Sequence, residues 1–85
     1  MTFPVGIGYI ASMLSDLLTC YRESAGLGFS EAARLLDMSR VTLWRYEQGK
    51  RTPSYDQLRA MLEAYRCAPS ECEAAEAARR QSVRL

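Results

Sequence analysis

The sequence predicts an all-α fold, a compact bundle of five helices in one domain spanning residues 1–85. Three observations carry this expectation. Apolar residues recur at three- and four-residue steps, the period of a helix with one buried face. No run alternates apolar and polar residues between turn signals, as a half-buried strand would. Glycines and prolines at 26, 28, 49, 53 and 69 divide the chain into segments of helical length.

Helix one is expected from about Tyr9 to Ser24, with Ile10, Met13, Leu14, Leu17, Leu18 and Tyr21 on one stripe and Gly26 and Gly28 past its end. Helix two covers Ser30 to Leu36, with Ala32, Ala33, Leu35 and Leu36 apolar; Ala33 is small enough to let a neighbouring helix approach closely. Helix three spans about residues 39–48, capped by the Ser39 hydroxyl and stopped by Gly49. Pro53 ends any helix before it, and Ser54 opens helix four with Gln57 at capping-box spacing. Its stripe is Tyr55, Leu58, Met61, Leu62 and Tyr65. Helix five, about 69–82, admits two starts: Pro69 suits a first turn, and Ser70 with Glu73 makes a capping box. A frayed tail should follow.

Composition narrows the function. A chain of 85 residues buries roughly 60–65% of its unfolded surface, which leaves little room for a deep cleft. There is no histidine, and Cys67 and Cys72 lack further ligands at metal-site spacing, so no metal and no cofactor are expected. Three cysteines cannot close a disulfide framework, and Cys20, Cys67 and Cys72 read as reduced thiols of a cytoplasmic protein. The apolar N-terminus lacks the basic start of a signal peptide, and no apolar run is long enough for a membrane span. "GIGYIAS" is only a partial dinucleotide motif and follows no strand, so enzymatic chemistry is not expected.

The informative stretch is 37–50, "DMSRVTLWRYEQGK". At about 100° per residue, Leu43 and Tyr46 point the same way and anchor helix three to the core. Val41, Trp44, Arg45 and Gln48 then lie on the opposite face, with Arg40 at its N-terminal edge. Such side chains suit base edges in the DNA major groove: arginine pairs with guanine, glutamine with adenine, and apolar groups pack on thymine methyls. Residues 34–51 carry Arg34, Arg40, Arg45, Lys50 and Arg51 against Asp37 and Glu47, a net of +3. Residues 52–78 carry Arg59 and Arg66 against five acids, a net of −3. A basic patch on an acidic body steers polyanions to one face. Trp and Arg also favour protein interfaces, and on composition alone both partners stay open.

Residues 27–54, "LGFSEAARLLDMSRVTLWRYEQGKRTPS", resemble the helix-turn-helix of the Cro/repressor (XRE-like) family. Ala33 matches the small residue at the helix crossing, Met38 the hydrophobic after the turn and Leu43 the buried aliphatic; "YEQGKRTPS" matches the closing signature. The resemblance covers about residues 9–66 and implies a lambda-repressor-like domain with a helical C-terminal extension. Two positions depart from the pattern. Asp37 replaces the turn glycine, and aspartate tolerates the left-handed conformation better than most residues. Phe29 replaces a glutamine that often clamps a phosphate, leaving that role to Ser30 or to backbone N–H groups.

The resemblance implies a sequence-specific bacterial or phage transcription regulator, a repressor, that binds double-stranded DNA as a homodimer. Arg40, Val41, Trp44, Arg45 and Gln48 would meet bases; Ser30, Thr42, Lys50 and Arg51 would hold phosphates. The dimer surface is open between helix one with its leader (Phe3, Val5, Ile7) and helix five. The alternative is an antitoxin-like or anti-regulator module that turns the same face to a protein. The resemblance also implies an ion pair of Arg22 with Glu47, so that Arg22→Ala should lower thermal stability more than a change at Arg79, read as exposed.

Overall fold

The computed structural model describes residues 7–83, with side chains from 13 to 82. Five helices follow one another: α1 (Ile7–Ser24), α2 (Phe29–Leu35), α3 (Arg40–Glu47), α4 (Tyr55–Ala64) and α5 (Pro69–Val83). No strand occurs among the described residues. Phe3 and Val5 of the expected leader, the side chain of Ile10, and Arg84 and Leu85 lie outside what is described.

Helix α1 is the spine: α5 packs along it, α3 crosses it, α2 leans on α3, and α4 closes against α5. Leu14, Leu18, Leu43, Leu58, Met61 and Leu62 are almost fully buried together, and Ala32, Ala33, Ala75 and Ala78 fill the close approaches. The expected stripes of α1 and α4 are largely the core stripes. Tyr55 is the exception in α4, 49% exposed at its first residue; in α2 the apolar Leu35 is likewise 59% exposed at the last turn.

One device ends the first four helices. In each, the residue after the C-cap takes a positive φ and donates its N–H to the carbonyl three positions back; the next N–H reaches the carbonyl five positions back. The pairs are Gly26 to Glu23 with Leu27 to Arg22, Asp37 to Arg34 with Met38 to Ala33, Gly49 to Tyr46 with Lys50 to Arg45, and Arg66 to Glu63 with Cys67 to Leu62. This Schellman geometry satisfies carbonyls the helix leaves open. Asp37 adopts φ 54° in the turn between α2 and α3, as expected of the turn position.

The starts are also built locally. The Ser39 and Ser54 hydroxyls accept from the N–H groups of Thr42 and Gln57, both at 3.1 Å. α2 begins one residue earlier than expected, at Phe29, because Glu31 reaches back to the Gly28 N–H at 3.1 Å. α5 starts at Pro69, and its box is closed by Glu71, which accepts from the Ala68 N–H at 2.8 Å, in place of the Ser70–Glu73 arrangement. The helix then continues through Gln81 and Ser82 to Val83, beyond the expected fray point.

The pair expected between Arg22 and Glu47 is present. Arg22 Nε donates to Glu47 Oε2 at 2.8 Å and Nη2 to Oε1 at 3.2 Å, with the side chains only 12% and 5% exposed. Nη1 donates to the Leu27 carbonyl at 2.9 Å, and the Thr19 hydroxyl donates to Glu47 Oε1 at 3.1 Å. The guanidinium also lies 5.6 Å from the centroid of the Phe29 ring. The hydrogen bonds to Glu47 raise the arginine pKa further, so the guanidinium stays charged. Removing one member of a buried, hydrogen-bonded pair strands the other charge.

Arg79 is not the exposed residue the sequence suggests. Its Nε donates to the carbonyl of buried Pro53 at 2.9 Å, tying α5 to the loop before α4. Arg80 is exposed and makes the better control. Arg22→Ala should cost about 3 kcal/mol, on the order of 10–20 °C in Tm for a domain of this size. Arg80→Ala should stay within about 0.5 kcal/mol. Paired thermal melts check this, and equal Tm values would contradict it.

Gly26 isolates the cost of backbone handedness. A Cβ added there would meet nothing within 4 Å, but φ is +74°. Gly26→Ala should therefore cost about 1 kcal/mol through conformation alone, read as a lowered urea midpoint with an unchanged m-value.

Candidate nucleic-acid interface

The face opposite Leu43 and Tyr46 is built by exclusion. Those two residues are buried against α1 and the core, which turns Val41 and Trp44 out to 56% and 44% exposure. Arg40, Arg45 and Gln48 are exposed beside them. Successive members from Arg40 to Gln48 stand one, three, one and three positions apart along α3 and its C-cap, so all five share one side. The orientation expected for Trp44 is the one observed.

The side chains are partly pre-positioned. Arg40 Nη1 donates to the Ser30 hydroxyl at 3.4 Å, linking the first turn of α3 to α2. The Lys50 ammonium stands 6.0 Å from the centroid of the Trp44 ring, over its face. Thr42 is half-buried; its Oγ1 accepts from the Ser39 hydroxyl at 2.9 Å, so its hydroxyl is engaged in the cap. Ser30, Lys50 and Arg51 are exposed. The structure thus brings Ser30 to Arg40 and Lys50 to Trp44, while Thr42 turns toward the cap.

Electrostatics sharpen the face. Arg34, Arg40, Arg45, Lys50 and Arg51 are all exposed, whereas Glu47 is buried and matched by Arg22. Of the two acids in this stretch only Asp37 faces solvent, so the surface is more positive than its sequence count. Acidic side chains gather elsewhere, as where Arg59 on α4 meets Glu76 on α5 at 3.3 Å.

Phe29, Arg40, Val41 and Trp44 line an open, mainly apolar notch of about 380 Å³ where α2 meets α3. Sequence reasoning registered Phe29 only as a missing clamp. It also missed Thr19, which braces Glu47 from one turn before Arg22; that i,i+3 spacing on α1 was the available signal. Among the described residues no group of three or more Cys, Asp or Glu is placed to hold a metal ion, and no helix is long and apolar enough to cross a membrane.

Comparison with known protein families matches residues 14–77, about three quarters of the chain, to the helix-turn-helix domain. The match runs from α1 into α5 and contains both α2 and α3. No curated protein and no solved structure shows significant similarity to the chain.

Trp44 is the single tryptophan, so its fluorescence reports this face alone. Iodide should quench the free protein readily, and saturating duplex DNA should protect it. Quenching that is unchanged by duplex would place Trp44 outside the interface.

Proposed function

The chain belongs to the helix-turn-helix domain family, a membership that suggests a DNA-binding regulator, and from that premise we propose a sequence-specific transcriptional regulator that acts as a repressor. The observation that carries the reading is the outward face of α3: Trp44 and Val41 held away from the core and ringed by exposed cations.

In this reading α3 enters the major groove. Arg40 and Arg45 pair with guanine edges, Gln48 reads adenine, and Val41 and Trp44 make apolar contacts. Lys50, Arg51 and Ser30 meet phosphates and set the register, with Thr42 contributing through the capped first turn of α3. The protein acts as a two-fold dimer on half-sites about one helical turn apart, roughly 34–36 Å, through α1 or α5. It works in the cytoplasm, on the nucleoid, and represses by occupying its operator. No catalytic step belongs to this role.

A second reading, an antitoxin-like or anti-regulator module, draws on the exposure of Trp44 and Val41, since an exposed aromatic beside arginines also suits a protein hot spot. Salt separates the two. Phosphate contacts release counterions and make affinity fall steeply with salt, which an apolar protein contact does not.

The test begins with selection from a random duplex pool at two salt concentrations, which should return a shared palindromic site. On that site Arg40→Ala should cost about 1–3 kcal/mol and relax one base position. Lys50→Ala should weaken selected and random DNA alike and lower the salt slope by about 1. If both changes weakened both DNAs by the same factor, base reading by Arg40 would be wrong.

A further inference from the structure

The notch between α2 and α3 has a lining that neither phosphate contact nor arginine hydrogen bonding uses. Its walls are the Phe29 ring from the start of α2 and Val41 and Trp44, three residues apart on α3; Arg40 stands at its edge. Phe29 is not a loose wall. The Arg22 guanidinium lies against its ring, and Arg22 is itself fixed by Glu47 and the Leu27 carbonyl. The Ser30 hydroxyl holds Arg40. An apolar group entering this notch therefore meets surfaces that are already in place, and little ordering opposes its burial.

The surroundings define the occupant. The notch is apolar, but the face around it carries Arg40, Arg45, Lys50 and Arg51. A fitting partner is apolar at one point and anionic on its flanks. The thymine 5-methyl is the apolar group that the major groove presents between two phosphate backbones. We propose that the Phe29–Val41–Trp44 notch receives the 5-methyl group of a thymine in each half-site, while Arg40 reads a guanine in the neighbouring base pair. This rests on the DNA-reading function proposed above and deepens it. Phe29, in place of a polar residue, converts a point of phosphate contact into a wall that reads a base.

The test uses the selected duplex. Each thymine is replaced in turn by deoxyuridine, which keeps every hydrogen-bonding group and removes only the methyl. For the unsubstituted chain, one thymine per half-site should respond with affinity falling roughly fourfold, the worth of one buried methylene-sized group. The same series is run with Val41→Ala, at an exposed position that leaves the core intact, and with Phe29→Leu, which keeps an apolar residue packed under the notch. Both variants should bind thymine and deoxyuridine duplexes with nearly equal affinity at that position. A site at which no deoxyuridine replacement weakens binding overturns the proposal and leaves the DNA-reading function standing. So does a methyl effect that persists undiminished in both variants. Selection that returns no site at all overturns both.

Discussion

The ion pair between Arg22 and Glu47 is the constraint on which the rest of the reading face depends. It joins the last turn of α1 to the last turn of α3, and a third guanidinium hydrogen bond fastens the loop that leads into α2. The same guanidinium supports the Phe29 ring at the opening of α2. One side chain thus sets the relation of three helices. A hydrophobic contact is non-directional, whereas a two-point hydrogen-bonded pair, braced by Thr19, also fixes orientation. With α3 fixed in rotation, Leu43 and Tyr46 go inward, and Trp44 has nowhere to go but out.

The pair also shapes the field. Glu47 lies in the middle of a basic stretch and would oppose an anionic partner if it faced solvent. Buried and matched by Arg22, it drops out of the surface charge, so between residues 34 and 51 only Asp37 among the acids faces solvent beside Arg40, Arg45, Lys50 and Arg51. Structural and electrostatic roles therefore coincide in one contact. The acidic half of the chain lies in α4 and α5, so charge is divided unequally among the helices even though the net charge is +1.

Much of this is legible in the sequence. Periodicity exposed the core stripes of α1 and α4, because a buried helix face repeats at a fixed step. Gly26, Gly49 and Asp37 marked helix ends, because few residues accept a left-handed backbone. Arg66 marks an end in the same way at φ 56°, but an arginine carries no such signal. Tyr55 lies on the apolar stripe of α4 yet is exposed, because burial depends on what lies opposite, which periodicity does not report. Arg79 failed in the other direction: a charged side chain late in a helix looks solvated until a loop carbonyl, here that of Pro53, comes within reach. The outward face of α3 was readable from a wheel, whereas the notch was not, since Phe29 joins it from another helix.

The account stands or falls on which face meets the partner. The most direct measurement is an amide NMR titration of the chain with a selected duplex. The account predicts shifts concentrated at residues 29–30 and 40–51, with Leu35, Ala64 and Arg66, which line other surface pockets, unmoved except through dimerisation. Shifts confined to α1 and α5, or none at saturating duplex, would contradict it.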